Sequence, residues 1–347
     1  MMTEISIQTP IKQSSGTPST PFNKTPLVWL LLLIVLSLAP SLGAYPVFVM
    51  KVLCLALFAS AFNLLLGYTG LLSFGHAALF GGAGYAAGYA IKQWHVSTEL
   101  SLLLGMTTAA LLGLVMGLLA IRRQGIYFAM ITLALAQMVF FLCLQVPQTG
   151  GEDGLQGIPR GALFGVFDLS SDGRFYYFVV VIFIAAMALI ARIVNSPFGQ
   201  ILRAIKENES RAISLGYSTE NVKLLAFILS ATLAGLAGSL KALSLGFETL
   251  TDVHWSMSGA VILMTLLGGM GTLSGPVVGA LVIVILENKL GEIGAALARW
   301  TGIEWFVSLG ESVTIVTGLI FILCVLTFRN GIVGVTAQLT RKSMRAR

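Results

Sequence analysis

Long apolar runs separated by short polar connections make up most of the chain. The runs are Leu27–Leu42, Val47–Leu66, Ala77–Ile91, Leu100–Ile121, Ile126–Val146, Phe175–Val194, Val222–Leu245, Met257–Leu267, Val277–Leu290 and Ser312–Phe328. Most approach the roughly 20 residues a helix needs to cross a bilayer. Backbone polar groups in lipid must pair within the segment, so such runs predict helices. The pattern predicts an all-α polytopic membrane protein of about ten transmembrane helices. Three runs are shorter, and two of them flank the glycine-rich stretch 268–276. Residues 257–290 read either as two spans or as one re-entrant hairpin.

One polar island stands out, Ser196 to Gly216, with the sequence SPFGQILRAIKENESRAISLG. Ser196 suits a helix cap, and Pro197 suits the first helical position, where a missing N–H costs nothing. Phe198, Ile201, Leu202 and Ile205 recur at i, i+3, i+4 and i+7 and share one face. Gln200, Arg203, Lys206 and Glu207 lie elsewhere on the cylinder, with Arg203 and Glu207 spaced to brace the exposed side. Gly199 allows close approach to a neighbour, and Gly216 ends a second short helical stretch. Periodicity leaves two uses open: a helix resting on lipid, or a docking helix for a soluble partner.

Composition narrows the class. The chain has 347 residues, 56% of them hydrophobic and 10% charged, with mean hydropathy +0.89. That balance excludes a soluble globular domain. Residues 1–26 read as a disordered N-terminal tail, 27–328 as the membrane domain with the polar segment 195–221 inside it, and 329–347 as a basic C-terminal tail. The run at 27–42 is read as an uncleaved span rather than a signal peptide. The net charge of +6 fits membrane orientation better than nucleic-acid binding. With both termini inside, Lys51, Lys92, Arg160, Arg174, Lys241, Lys289 and Arg299 fall outside; the other fourteen of the 21 Lys and Arg fall inside. That asymmetry predicts N-in and C-in, with 195–221 cytoplasmic.

Candidate chemistry is sparse. Gly67-Tyr-Thr-Gly70-Leu-Leu-Ser73 and Gly268-Gly-Met-Gly271-Thr-Leu-Ser274 share the pattern G-x-x-G-x-L-S. Breaks beside short helices point to a translocation site, because unwound backbone is tolerated only where it is buried or lines a cavity. With Gly75, His76 and Pro276, these glycines and serines form the candidate pathway set; tight packing is the competing reading. His76 is expected to be a hydrogen-bonded structural residue, and Asn63 and Gln137 to bond between helices. Gly84 with Gly88, Gly113 with Gly117, and Ala231 with Gly235 and Ser239 have helix-packing spacing. Cys54, Cys143 and Cys324 lie in apolar runs and read as buried. No carboxylate is expected deep in a span, which counts against an ion-coupled carrier. Arg160, in the long connection 147–173, and Arg174, just after it, read as solvated or as contacts for a soluble protein. The sequence lacks G-x-x-x-x-G-K-[ST], H-E-x-x-H and G-x-S-x-G. This chain therefore has no nucleotide-binding P-loop of its own, and it shows neither a metal site nor a catalytic constellation.

The polar island carries a resemblance. Ser196 to Gly199, Arg203-Ala204-Ile205, Glu207-Asn208, Leu215-Gly216 and Lys223 to Phe227 resemble, in order and spacing, the coupling segment of ABC-importer permeases of the branched-chain amino-acid family. The Gly70 to His76 stretch and the T-G-G-x-x-G run at 149–154 are similar to segments of the same family. The resemblance covers about Leu53 to Phe328. It implies a transport subunit, not an enzyme, in a bacterial inner membrane. It implies a second homologous permease, two cytoplasmic ABC ATPases that carry the ATP-Mg, and a periplasmic substrate-binding protein. The implied solute is a branched-chain amino acid or a related small polar molecule such as urea, a short amide or an aromatic acid. A carrier or channel acting alone is the rival.

Overall fold

A computed structural model describes residues 45–165, 167–301, 318, 319, 322 and 331–334. The runs at 27–42 and 312–328 and both tails lie outside the described residues or almost wholly so. Eleven helices are described here: α1 (Pro46–Thr69), α2 (His76–Gln93), α3 (Thr98–Ala120), α4 (Ile126–Gln145), α5 (Asp172–Asn195), α6 (Pro197–Glu207), α7 (Glu209–Ser214), α8 (Thr219–Leu245), α9 (Leu250–Val253), α10 (Trp255–Gly268) and α11 (Gly275–Thr301). Four two-residue strands accompany them: β1 (Leu155–Gln156), β2 (Ala162–Leu163), β3 (Phe167–Asp168) and β4 (Phe247–Glu248). Among the described residues, α1, α3, α4, α5 and α8 are long and apolar enough to cross a membrane.

The bundle is built around α1 and α8. Both are largely buried, and α8 packs on α1, α2 and α3. Small residues set those crossings, since close backbone approach substitutes for hydrophobic drive in lipid. Gly113 faces Ala231, and Gly235 faces Ala109 and the Gly105 carbonyl. Gly84 and Gly88, expected to meet helices, instead receive the Glu248 carboxyl and the side chains of Leu155 and Ile158. Helices α3, α4 and α5 expose apolar side chains such as Leu111, Val115, Met138 and Val181, as a bundle periphery in lipid requires.

The two ends of the bundle differ. One end carries the 147–173 connection, which is ordered against α8. Its β1 pairs antiparallel with β4, Leu155 opposite Glu248, and Arg160 donates to the Ser244 carbonyl at 3.0 Å. Arg160 is largely covered, whereas Arg174, at the start of α5, is solvated as expected. Arg160 pairs with Asp172 and Arg174 with Asp168. The Ser170 N–H and hydroxyl bond the Asp168 carboxylate, which holds it below the ordinary range, and Arg174 adds to the effect. The opposite end carries α6 and α7.

Two features differ from the sequence reading. Helix α11 runs for 27 residues, well beyond the apolar run that ended at Leu290, because Gly291, Glu292 and Gly294 interrupt hydrophobicity without breaking the helix. The segment 246–254, read as an outside connection, instead lies along α2. Glu248 packs against Gly84, at the middle of α2, and Val253 packs against Gly81. From there α10 continues toward the α6 end.

Candidate functional site

The polar segment at 196–216 folds as its sequence dictates. The Ser196 hydroxyl accepts from the Gly199 N–H, and Pro197 opens α6. The Asn208 side chain caps α7 by accepting from the Arg211 N–H at 2.9 Å. Gly216 follows α7 with φ +89°. Gly199 has no alternative: a Cβ there would lie 2.2 Å from the Val194 carbonyl oxygen. The neighbour it approaches is the end of α5.

The apolar face of α6 has a third destination beside lipid and partner. Leu202 and Ile205 are fully buried within this chain, Phe198 and Ile201 half-buried. The face packs on α1, α5 and α8. Amphipathicity fixed which residues are sheltered but not what shelters them. Pro197, Gln200, Arg203, Ala204, Lys206, Glu207 and Asn208 are exposed. Arg203 does not brace Glu207; its guanidinium sits 5.4 Å over the Tyr68 ring. Beyond α6, Ile213, Leu215 and Tyr217 are exposed at 55%, 70% and 43%. They form the uncovered apolar patch of this segment, and of the three only Leu215 was singled out in the sequence. Lys223 anchors α7 through Glu209.

The two glycine-rich stretches meet. In each, the second glycine is left-handed: φ is +78° at Gly70 and +73° at Gly271. A Cβ on Gly67 would lie 2.7 Å from the Gly271 nitrogen, so the two backbones touch. Asn63 ties them together, donating to the Thr272 carbonyl at 2.9 Å and accepting from the Gly271 N–H at 2.9 Å. The Lys206 ammonium donates to the Gly67 carbonyl at 2.7 Å. That carbonyl is in the last turn of α1, where carbonyls lack helical partners and the dipole favours a cation.

The remaining pathway candidates are mostly interior. Ser73, Gly75 and Pro276 are buried, as are Gly67 and Gly268; Gly70 and Ser274 are exposed. Thr132 and Ser258 hold the first break by bonding the Phe74 backbone at 3.2 and 2.7 Å. His76 bonds Ser230 at 2.9 Å between the rings of Phe62 and Phe227, as a structural histidine would. A cavity of about 420 Å³, lined by Gly70, Leu71, Leu72, Phe74, Gly125, Ile126, Phe128 and Ala129, adjoins the break. Cys54 and Cys143 are buried and unlinked. The described residues hold no cluster of three or more metal-ligating side chains.

One constellation escaped the sequence reading. Lys241 pairs with Glu248 at 3.2 Å and with Asp252. Glu248 is fully buried, and its Oε1 has no partner, nor has the buried Tyr85 hydroxyl. A buried carboxylate therefore lies beside the middle of α2, brought there by a connecting segment that folds inward and not by an apolar run.

The profile of the family described as "Branched-chain amino acid transport system / permease component" matches residues 47–326. The chain belongs to that permease family. It is a mostly helical, multi-pass membrane protein of a class that serves as membrane subunits of transporters. Among curated relatives, the Escherichia coli (strain K12) high-affinity branched-chain amino acid transport system permease protein LivM is 28% identical over 66% of this chain and 59% of its own length. A probable LivM permease of Methanocaldococcus jannaschii is 28% identical over 54% of this chain and 56% of its own. An autoinducer 2 import system permease protein, LsrC of Photorhabdus laumondii, is 32% identical over 32% of this chain and 34% of its own. The matches thus span about three fifths of the first relative's length or less. No solved structure matches the chain.

Proposed function

We propose that this permease is one membrane subunit of a bacterial ABC importer, in the inner membrane, with both termini cytoplasmic. It pairs with a second, similar permease, and the solute crosses between the two. Two ATPases dock at the α6 end, and a periplasmic binding protein delivers solute to the 147–173 end. The observation that carries the reading is the α6–α7 segment. It is a short helix pair with its own apolar face sheltered, three apolar side chains left bare, and a direct bond into the glycine-rich junction. The bare residues Ile213, Leu215 and Tyr217, beside Arg203 and Glu207, are the ATPase-facing surface. Leu202 and Ile205 support that surface from behind rather than touching the partner.

Branched-chain amino acids are the leading solute, on the LivM relatives. The LsrC relative supports a second solute reading, autoinducer 2. A carrier acting alone draws on buried Glu248, but that carboxylate already has Lys241 as its counter-ion. The test is Ile213→Asp with Leu215→Asp in the full complex. Both side chains are exposed, so the permease should stay folded while the ATPase is lost from an affinity pull-down. Retention of the ATPase at the wild-type level refutes the docking surface.

A further inference from the structure

We propose that Lys206 and Asn63 form a mechanical link that carries displacement of α6 to the paired glycine-rich breaks. The inference rests on the reading of α6–α7 as the ATPase-docking segment. Three separate parts of the sequence are joined by it. On α6, the Lys206 ammonium holds the Gly67 carbonyl at 2.7 Å. Its stem lies over Gly70, where a Cβ would be 3.3 Å from the Lys206 Cγ. Arg203, one turn earlier, covers Tyr68. Helix α6 therefore grips residues 67, 68 and 70, which form the end of α1 and the start of its break.

One turn back along α1, the Asn63 amide uses both its donor and its acceptor on the second break, at Thr272 and Gly271. Asn63 is 2% exposed, so water does not compete for either bond. Gly67 lacks the side chain that would hold the breaks apart. Movement of α6 thus pulls on the end of α1 through a charged bond, and α1 carries the 269–274 turn with it. A helix held only by its apolar face would need neither contact. Surface lysines ordinarily extend into water, whereas this one points back into a helix terminus.

The experiment uses the complex purified through this chain, with Met270→Cys introduced as a reporter because Met270 is exposed on the second break. Maleimide labelling of that position is compared before and after vanadate trapping of the ATPase. With Lys206 intact, trapping changes the labelling rate several-fold. With Lys206→Met, the ATPase remains bound and still hydrolyses ATP, but the labelling change is lost. Lys206→Arg, which can still donate to the Gly67 carbonyl, restores it, and Asn63→Ala loses it again. A full labelling change in the Lys206→Met complex overturns the link. So does an unchanged rate in the wild-type complex while its ATPase is bound and active. Absence of any ATPase from the wild-type complex is a different failure: it removes the docking reading and the link together.

Discussion

Replacing Lys241 by Met should destabilise the bundle more than any other single change to its polar interior. The Lys241 ammonium lies between Glu248, fully buried, and Asp252, 13% exposed. Methionine keeps the length of the stem but leaves two neighbouring carboxylates without a counter-charge. Breaking a buried pair by removing one partner costs about 3–5 kcal/mol, because the orphaned charge stays desolvated. Asp252 retains some relief from the Thr249 N–H and hydroxyl, at 3.2 and 2.6 Å, so Glu248 carries most of the penalty. Glu248→Gln is milder: it removes the buried charge, keeps the shape beside Gly84, and leaves Lys241 paired with Asp252. Its cost should be about 1 kcal/mol, that of an ordinary hydrogen bond. The double variant Lys241→Met with Glu248→Gln should therefore be more stable than Lys241→Met alone. Equilibrium unfolding of the purified permease in mixed micelles measures all three. A Lys241→Met variant within about 1 kcal/mol of wild type would refute the reasoning. So would a double variant less stable than the single one.

Three further outcomes follow from the same geometry. Gly199→Ala should lower stability by about 1–3 kcal/mol, the usual range for overpacking, because its methyl group meets the end of α5; a melting midpoint equal to wild type contradicts this. Gly70→Leu or Gly271→Leu should abolish uptake while membrane insertion persists, since each position is left-handed and the breaks adjoin; normal uptake by both removes the case for a functional junction. Glu152→Cys and Ser214→Cys, both exposed, should react with an impermeant maleimide from opposite sides of the membrane, 152 from outside; labelling of both from one side contradicts the orientation.

What the sequence disclosed, it disclosed through local rules. Ser196, Pro197 and Gly216 mark the ends of α6 and α7 because caps, first-turn proline and left-handed glycine act within a few residues. The G-x-x-G-x-L-S pair was legible as a repeated break for the same reason. Which surfaces met was not legible. The i, i+3, i+4 and i+7 face of α6 is sheltered by its own bundle, and the uncovered residues, Ile213, Leu215 and Tyr217, fall at every second position, which is not the spacing of a helix face. Glu248 was hidden differently. With Gly246, Thr249 and Asp252 around it, it sits between two apolar runs in a polar connection, and only the glycines of α2 show that there is room for that connection inside. Gly84, set down to helix packing, was the available signal.

On the proposed function, this permease moves solute only as part of an ATP-driven complex. The direct measurement is uptake of radiolabelled leucine into proteoliposomes holding the purified complex, with and without ATP at the face that carries α6 and α7. Accumulation should need ATP at that face, the binding protein at the other, and the ATPase subunits. Leucine uptake by this chain alone, driven by an ion gradient without ATP, would contradict it.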